Sequence, residues 1–225
     1  MAFGDDRRPL ALPSIASQVN LSPEEVFPYA PSAGIPELRQ RWKTELVEKN
    51  PDLAGQTFSL PVITNALTHA LSMAGYLFLD PGDEILLPDR YYGNYNLVFA
   101  QELECTIRTY PLFKGDRLDL EGFAQALRNR PASGKQVVVL NFPHNPTGYT
   151  PLEEEAAELA RLLIEDADTA GPRVVMLDDA YFGLVFREGV ARQSLFTRLC
   201  SGSPNLLAVK MDAATKEDYA WGLRV

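Results

Sequence analysis

Cysteine and histidine are almost missing from this 225-residue sequence, which holds two of each. Cys105 and Cys200 are too few and too distant to brace a disulfide scaffold. With only His69 and His144 beside them no metal-ligand spacing exists, so neither a structural zinc nor an oxidising compartment is expected. Basic residues are also short, since 21 Lys and Arg against 30 Asp and Glu leave a net charge of -9. Nucleic acid and anionic membrane surfaces both demand a cationic excess, so a small molecule is the expected partner. Long apolar runs are lacking too. The most apolar stretch, residues 70–79, stops at Asp80-Pro81-Gly82 and falls short of the roughly 18 to 20 residues a membrane span needs. The first thirteen residues carry Asp5, Asp6, Arg7 and Arg8 and contain no signal-peptide core. The expectation is a soluble, cytoplasmic protein. No repeat stands out, and neither G-x-G-x-x-G nor a Walker lysine follows any apolar run, which disfavours a nucleotide-binding domain.

What is present is an alternation of short apolar runs with helical patterns. Leu38, Trp42 and Leu46 recur every four positions behind Pro36, which predicts a helix over 36–49 ended by Asn50-Pro51. Strands are expected at 58–63, 84–87, 106–110, 136–140, 173–177 and 206–209. Helices are expected at 68–79, 95–102, 120–128 with Asp119 as cap, and from Thr150-Pro151-Leu152-Glu153 to about Asp166. Strands that are apolar throughout are buried on both faces, which points to an α/β fold: a mainly parallel mixed sheet in a three-layer α/β/α sandwich. Ligands of such sheets sit at the C-terminal ends of strands.

That rule selects among the polar residues. The turn Thr64-Asn65-Ala66-Leu67-Thr68 opens a helix, and its N–H groups with the Thr68 hydroxyl suit a phosphate; a plain strand-to-helix turn reads the same way. The run Asp89 to Tyr95 offers aromatics that either stack on a flat ring or fill the core. In Asn141-Phe142-Pro143-His144-Asn145-Pro146-Thr147-Gly148, two prolines and a glycine hold the Asn145 amide at a strand end or simply make a turn. Asp178 ends another apolar strand, where it is either a buried acid in need of a partner or a solvated loop acid. Lys216 and Arg224 add an amine and a second cation. A phosphate cradle, an aromatic plate, an amide, a carboxylate and an amine are together what pyridoxal 5′-phosphate requires.

The sequence resembles the class I/II aminotransferases, the fold-type I enzymes that use pyridoxal phosphate. Asn145 to Gly148 matches the family's Asn-Pro-Thr-Gly, Asp178 to Tyr181 its Asp-x-Ala-Tyr, and Lys216 with Arg224 its lysine followed eight positions later by the arginine of Gly-Leu-Arg-Val. Pro81 to Asp83, and Tyr29 to Arg39 as Tyr-x-Pro-x-x-Gly before Leu-Arg, fall in the same order. The resemblance implies that Lys216 holds the cofactor as an internal aldimine and then shuttles a proton between the substrate α-carbon and the cofactor C4′, in a ping-pong transfer of an amino group from an amino acid to a 2-oxo acid. It implies Asp178 on the pyridinium nitrogen, Asn145 and Tyr181 on the phenolic oxygen, and Tyr92 stacked on the ring. The phosphate would be held by Ala66, Leu67, Thr68, Arg224 and, from a second subunit of a homodimer, Tyr29.

Three positions depart from the family: Ala66 where glycine is usual, Ala213 where a phosphate-binding serine is common, and Arg90 where proline is usual. Family members continue into a smaller C-terminal domain that clamps the substrate carboxylate. The domain reading is therefore an N-terminal arm over 1–33 and a cofactor-binding large domain over 34–225 that is incomplete at its C-terminus, with the small domain absent and substrate binding correspondingly weak. A β-lyase or decarboxylase of the same fold would use the same residues, and a non-catalytic ligand-binding module would keep the fold.

Overall fold

The computed structural model describes residues 20–131 and 134–218. After a short helix α1 (Pro23–Val26) comes α2 (Pro36–Lys49), with Pro36 in its first turn. A 3₁₀ turn (Pro51–Leu53) leads through an irregular stretch to α3 (Ala66–Phe78) and β1 (Glu84–Pro88). A π-helical segment (Asn96–Glu102) and β2 (Thr106–Tyr110) follow, then a hairpin of β3 (Phe113–Lys114) and β4 (Arg117–Leu118). The chain continues through α4 (Leu120–Arg128), β5 (Gln136–Asn141), α5 (Glu153–Ala170), β6 (Arg173–Asp178), α6 (Phe196–Leu199), β7 (Leu206–Met211) and α7 (Ala214–Glu217).

The five-stranded sheet runs β2-β1-β5-β6-β7, and among the described residues every ladder in it is parallel. The antiparallel component expected of a mixed sheet is confined there to the β3–β4 hairpin, which the residue pattern had not suggested, and to one isolated bridge. Alternate residues of the central strands serve opposite cores. Leu86, Val138, Leu140, Val175 and Leu177 pack with α4 and α5, whereas Ile85, Leu87, Val137, Val139 and Met176 pack with α3 and the π-helical segment. This two-sided burial is what an unbroken β-branched strand requires, and it makes the three layers. Each such Val or Leu contributes about 1.5–3 kcal/mol by leaving water.

Two expectations are corrected. Residues 58–63 form no sheet strand among the described residues. Pro61 lacks the N–H a ladder needs, and two carbonyls are taken instead by α2, with Lys43 Nζ donating to Phe58 O at 2.7 Å and Arg39 Nε to Pro61 O at 2.6 Å. Thr150 does not cap α5. The backbone of 151–153 pairs with 189–191 and Leu152 stays extended, so the cap moves to Leu152, whose N–H donates to Glu155 Oε2 at 2.8 Å. From there α5 runs to Ala170, beyond the expected end at Asp166. Smaller shifts move the start of α3 back to Ala66 and turn the expected helix at 95–102 into a π-helix.

Two backbone positions, Gly34 and Ala66, have positive φ with a local consequence. Gly34 has φ +98°, and a Cβ there would sit 2.5 Å from Ile63 Cγ1, while Ile63 N donates to Ala33 O at 3.0 Å. Ala66 has φ +64°, a conformation that costs a residue with a side chain about 1–2 kcal/mol. Gly34→Ala is therefore expected to lower the unfolding free energy by about 2 kcal/mol. Ala66→Gly is expected to raise it by roughly 0.5–1 kcal/mol, because the strain relieved exceeds the chain entropy that glycine adds to the unfolded state. Urea unfolding with an unchanged m-value reads both, and a destabilised Ala66→Gly variant contradicts the strain at that turn.

Candidate active site

The order β2-β1-β5 means that the chain leaves β1 in one direction and returns to pair β5 on its other side. The loops following β1 and β5 therefore diverge, and a crevice opens at their C-terminal ends. Register brings the other strand ends level with it, Asn141 opposite Asp178 and Asp178 opposite Met211. The loops beyond carry Tyr92, Asn145, Tyr181 and Lys216.

Asp178 lies at the centre, 2% exposed. Its Oδ2 accepts from Tyr95 Oη at 2.6 Å and its Oδ1 from Ala180 N at 3.1 Å. Burial pushes its carboxyl up to about 6; the Tyr95 and Ala180 donors oppose that shift, and the nearby Asp179 and Asp212 add to it. Among the described residues no cation forms an ion pair with it. A carboxylate so placed holds two good donors and still wants positive charge.

Tyr95 was not singled out from the sequence, where it reads as one more aromatic at a helix start. It is almost fully buried, stacks with Tyr91 and meets Tyr92 edge-on at 5.8 Å between centroids. Burial, then the neighbouring Asp178 charge, raises its phenol well above the ordinary value, which keeps it a donor. Asn141 was missed as well. Its Nδ2 donates to the Asp178 carbonyl at 2.6 Å and its Oδ1 accepts from Asn145 N at 2.8 Å, so one side chain sets the Asn145 loop against the end of β6. His144 closes that loop against Thr147 Oγ1 at 2.8 Å, and burial lowers its pKa to about 4, so it is neutral at ordinary pH.

Lys216 lies on α7, and its Nζ sits 5.5 Å from the centre of the Tyr181 ring. Tyr181 is half-buried; desolvation first, then Tyr92 and Asp178, raise its phenol. These four, with Asn145 through Asn141, form one neighbourhood. The turn at Ala66, Leu67 and Thr68 approaches from α3, which packs on β6 and β7, and Thr64 lines the same cleft as Lys210, Met211 and Asp212. Ala213 is buried and caps α7. Arg90 turns outward, its guanidinium 5.9 Å from the Phe113 ring of the hairpin. Tyr29 is fully exposed on the N-terminal segment, away from this neighbourhood in sequence and in burial. Arg224 lies outside the described residues. No group of three or more metal-ligating side chains occurs among the described residues.

The sequence profile of the family Aminotransferase class I and II matches residues 4–210, a span that ends just before Lys216. A probable aspartate/prephenate aminotransferase of Aquifex aeolicus is 32% identical over 141 residues, covering 61% of this chain and 34% of that protein. A probable N-acetyl-LL-diaminopimelate aminotransferase of Bacillus subtilis is 31% identical over 163 residues, covering 71% and 38%. Among solved structures, an aminotransferase from Anaerococcus prevotii superimposes with a TM-score of 0.84 at 26% identity, covering 98% of this chain and 54% of that one. The chain thus spans between a third and two fifths of these curated relatives. On the sheet order, the strand-end residues and the profile match taken together, the chain belongs to the class I and II aminotransferase family.

Proposed function

We propose that this chain carries the cofactor-binding part of a pyridoxal 5′-phosphate-dependent aminotransferase, which moves an amino group from an amino acid to a 2-oxo acid in two stages. The observation that carries the reading is Asp178: a buried carboxylate, braced by two donors and lacking a cationic partner among the described residues, at the end of the strand whose loop bears Tyr181. A protonated pyridine nitrogen is a fitting partner, since it is a cation on a flat apolar ring.

When bound, the cofactor supplies an electron sink for negative charge at the substrate α-carbon. Asp178 holds the proton on the ring nitrogen and so keeps that sink effective. Tyr95, donating to Asp178, keeps the carboxylate ionised and fixes its direction. Lys216 would hold the cofactor through Nζ, and its amine when free could carry a proton to and from the substrate α-carbon. Asn145 and Tyr181 donate to the phenolic oxygen, and the raised Tyr181 phenol suits it to donate. Tyr92 covers the ring. The amides of Ala66 and Leu67, the Thr68 hydroxyl and Arg224 take the phosphate.

The exposed aromatics Phe27 and Tyr29 support a homodimer in which Tyr29 reaches the phosphate of the second subunit. We read residues 1–33 as an arm and 34–225 as the large domain of that enzyme. No described helix is long and apolar enough to cross a membrane, and the two cysteines are free thiols, which suits the cytoplasm.

Adding pyridoxal phosphate to the chain is expected to give a visible absorbance band that Lys216→Ala abolishes, with borohydride fixing the label to the peptide bearing Lys216. Equal uptake by wild type and variant would sink the assignment. Tyr95→Phe removes a hydrogen bond to a charged group, worth about 1.5–3 kcal/mol, so the Asp178 midpoint should move from about 6 to near neutrality. Cofactor affinity of this variant should fall several-fold at pH 6.5 and approach the wild-type value at pH 8.5, where Asp178 is ionised in both; a pH-independent loss would remove Tyr95 from this role.

A further inference from the structure

Beside the site lies a second buried charge cluster that the proposed chemistry does not use. Lys210, the penultimate residue of β7, has a side chain only 5% exposed. Its Nζ donates to Asp179 Oδ2 at 2.6 Å and to Asp212 Oδ2 at 2.8 Å, and lies 4.8 Å from the centre of the Phe182 ring. Asp179 follows Asp178 directly; it also accepts from Ser194 Oγ at 2.6 Å, and its N–H donates to Met211 O at 2.9 Å. Asp212 opens the turn to α7, its Oδ1 accepting from Ala213 N at 2.9 Å. A single ammonium therefore ties the loop carrying Asp178 and Tyr181 to the turn carrying Lys216.

We propose that Lys210 is a positioning residue of the site: it clamps Asp179 to Asp212, so that the Asp178 loop and the Lys216 turn hold one geometry, and it balances the two acids flanking Asp178. The assignment deepens the cofactor reading and rests on it for its purpose, although the clamp itself is a property of the protein alone. Two carboxylates packed beside a third would each disfavour ionisation of the others. Burial opposes the Lys210 charge, and Asp179 and Asp212 overcome that and hold its pKa above the ordinary value. The same ammonium is committed to both acids, so it does not compete with Lys216 for a carbonyl. The titratable groups around the cluster are Tyr95 from the segment after β1, Tyr92 on the same loop, Asp178, Asp179 and Tyr181 after β6, and Asp212 after β7.

The test is the titration midpoint of Asp178 in the full chain without cofactor, followed by carboxyl-carbon NMR and assigned with Asp178→Asn. Lys210→Met keeps the apolar stem, removes the charge, and is expected to raise that midpoint by about one pH unit. Lys210→Met with Asp212→Asn should bring it back towards wild type, and Lys210→Arg should leave it close. A folded Lys210→Met variant, judged by near-ultraviolet circular dichroism, whose midpoint stays within a few tenths of wild type would overturn the proposal. Should Lys210→Met not fold, Asp212→Asn alone decides, since it retains the ammonium on Asp179 and removes one acid: the midpoint falls below wild type, or the assignment fails. Binding of pyridoxine 5′-phosphate, which lacks the aldehyde, is measured alongside. No binding to wild type sinks the cofactor reading whatever Asp178 does, and an unmoved midpoint sinks the Lys210 role whatever binds.

Discussion

A carboxylate removed from water at the end of a buried strand must be matched in place, because the protein interior cannot solvate it. Asp178 is in this position, and much of the surrounding structure can be derived from how it is met. A phenol comes from the loop after β1, a backbone N–H from its own turn, and an amide from the end of β5 secures its carbonyl. Among the described residues no cation pairs with it. Burial without a cation is why its carboxyl is raised to about 6.

The sheet makes this arrangement available. Parallel strands in register bring their C-terminal residues level, so Asn141, Asp178 and Met211 form a row, and each following loop starts from the same edge. The two-sided cores set by alternate strand residues hold the edge still. Chemistry placed on short loops thereby inherits the stiffness of the strands.

Much of the fold could be read from the residues. The four-residue spacing of Leu38, Trp42 and Leu46 behind Pro36 matched α2 from end to end, and the continuous β-branched run at β5 marked a strand buried on both faces. Residues 58–63 misled because apolar content outweighed Pro61, whose missing N–H denies the ladder a donor. The cap of α5 misled because pairing of 151–153 with 189–191 is a long-range interaction that no local motif reports. In the candidate site, residues at strand ends could be selected by position. Tyr95, Asn141 and Lys210 were not, because each looks like an ordinary core or strand residue until its distant partner is known. Arg90 shows the reverse: it occupies the motif and turns towards Phe113.

The strand order also bears on how the molecule comes into being. The strand order reverses where β1 pairs β5, and those strands are separated in sequence by β2, the hairpin and α4. Their pairing closes a long loop, whose entropy must be met before any contact across it is gained. The β1–β2 unit and the β5–β6 unit can each assemble over shorter stretches of chain. The candidate site then lies at the ladder whose pairing closes the longest of these loops.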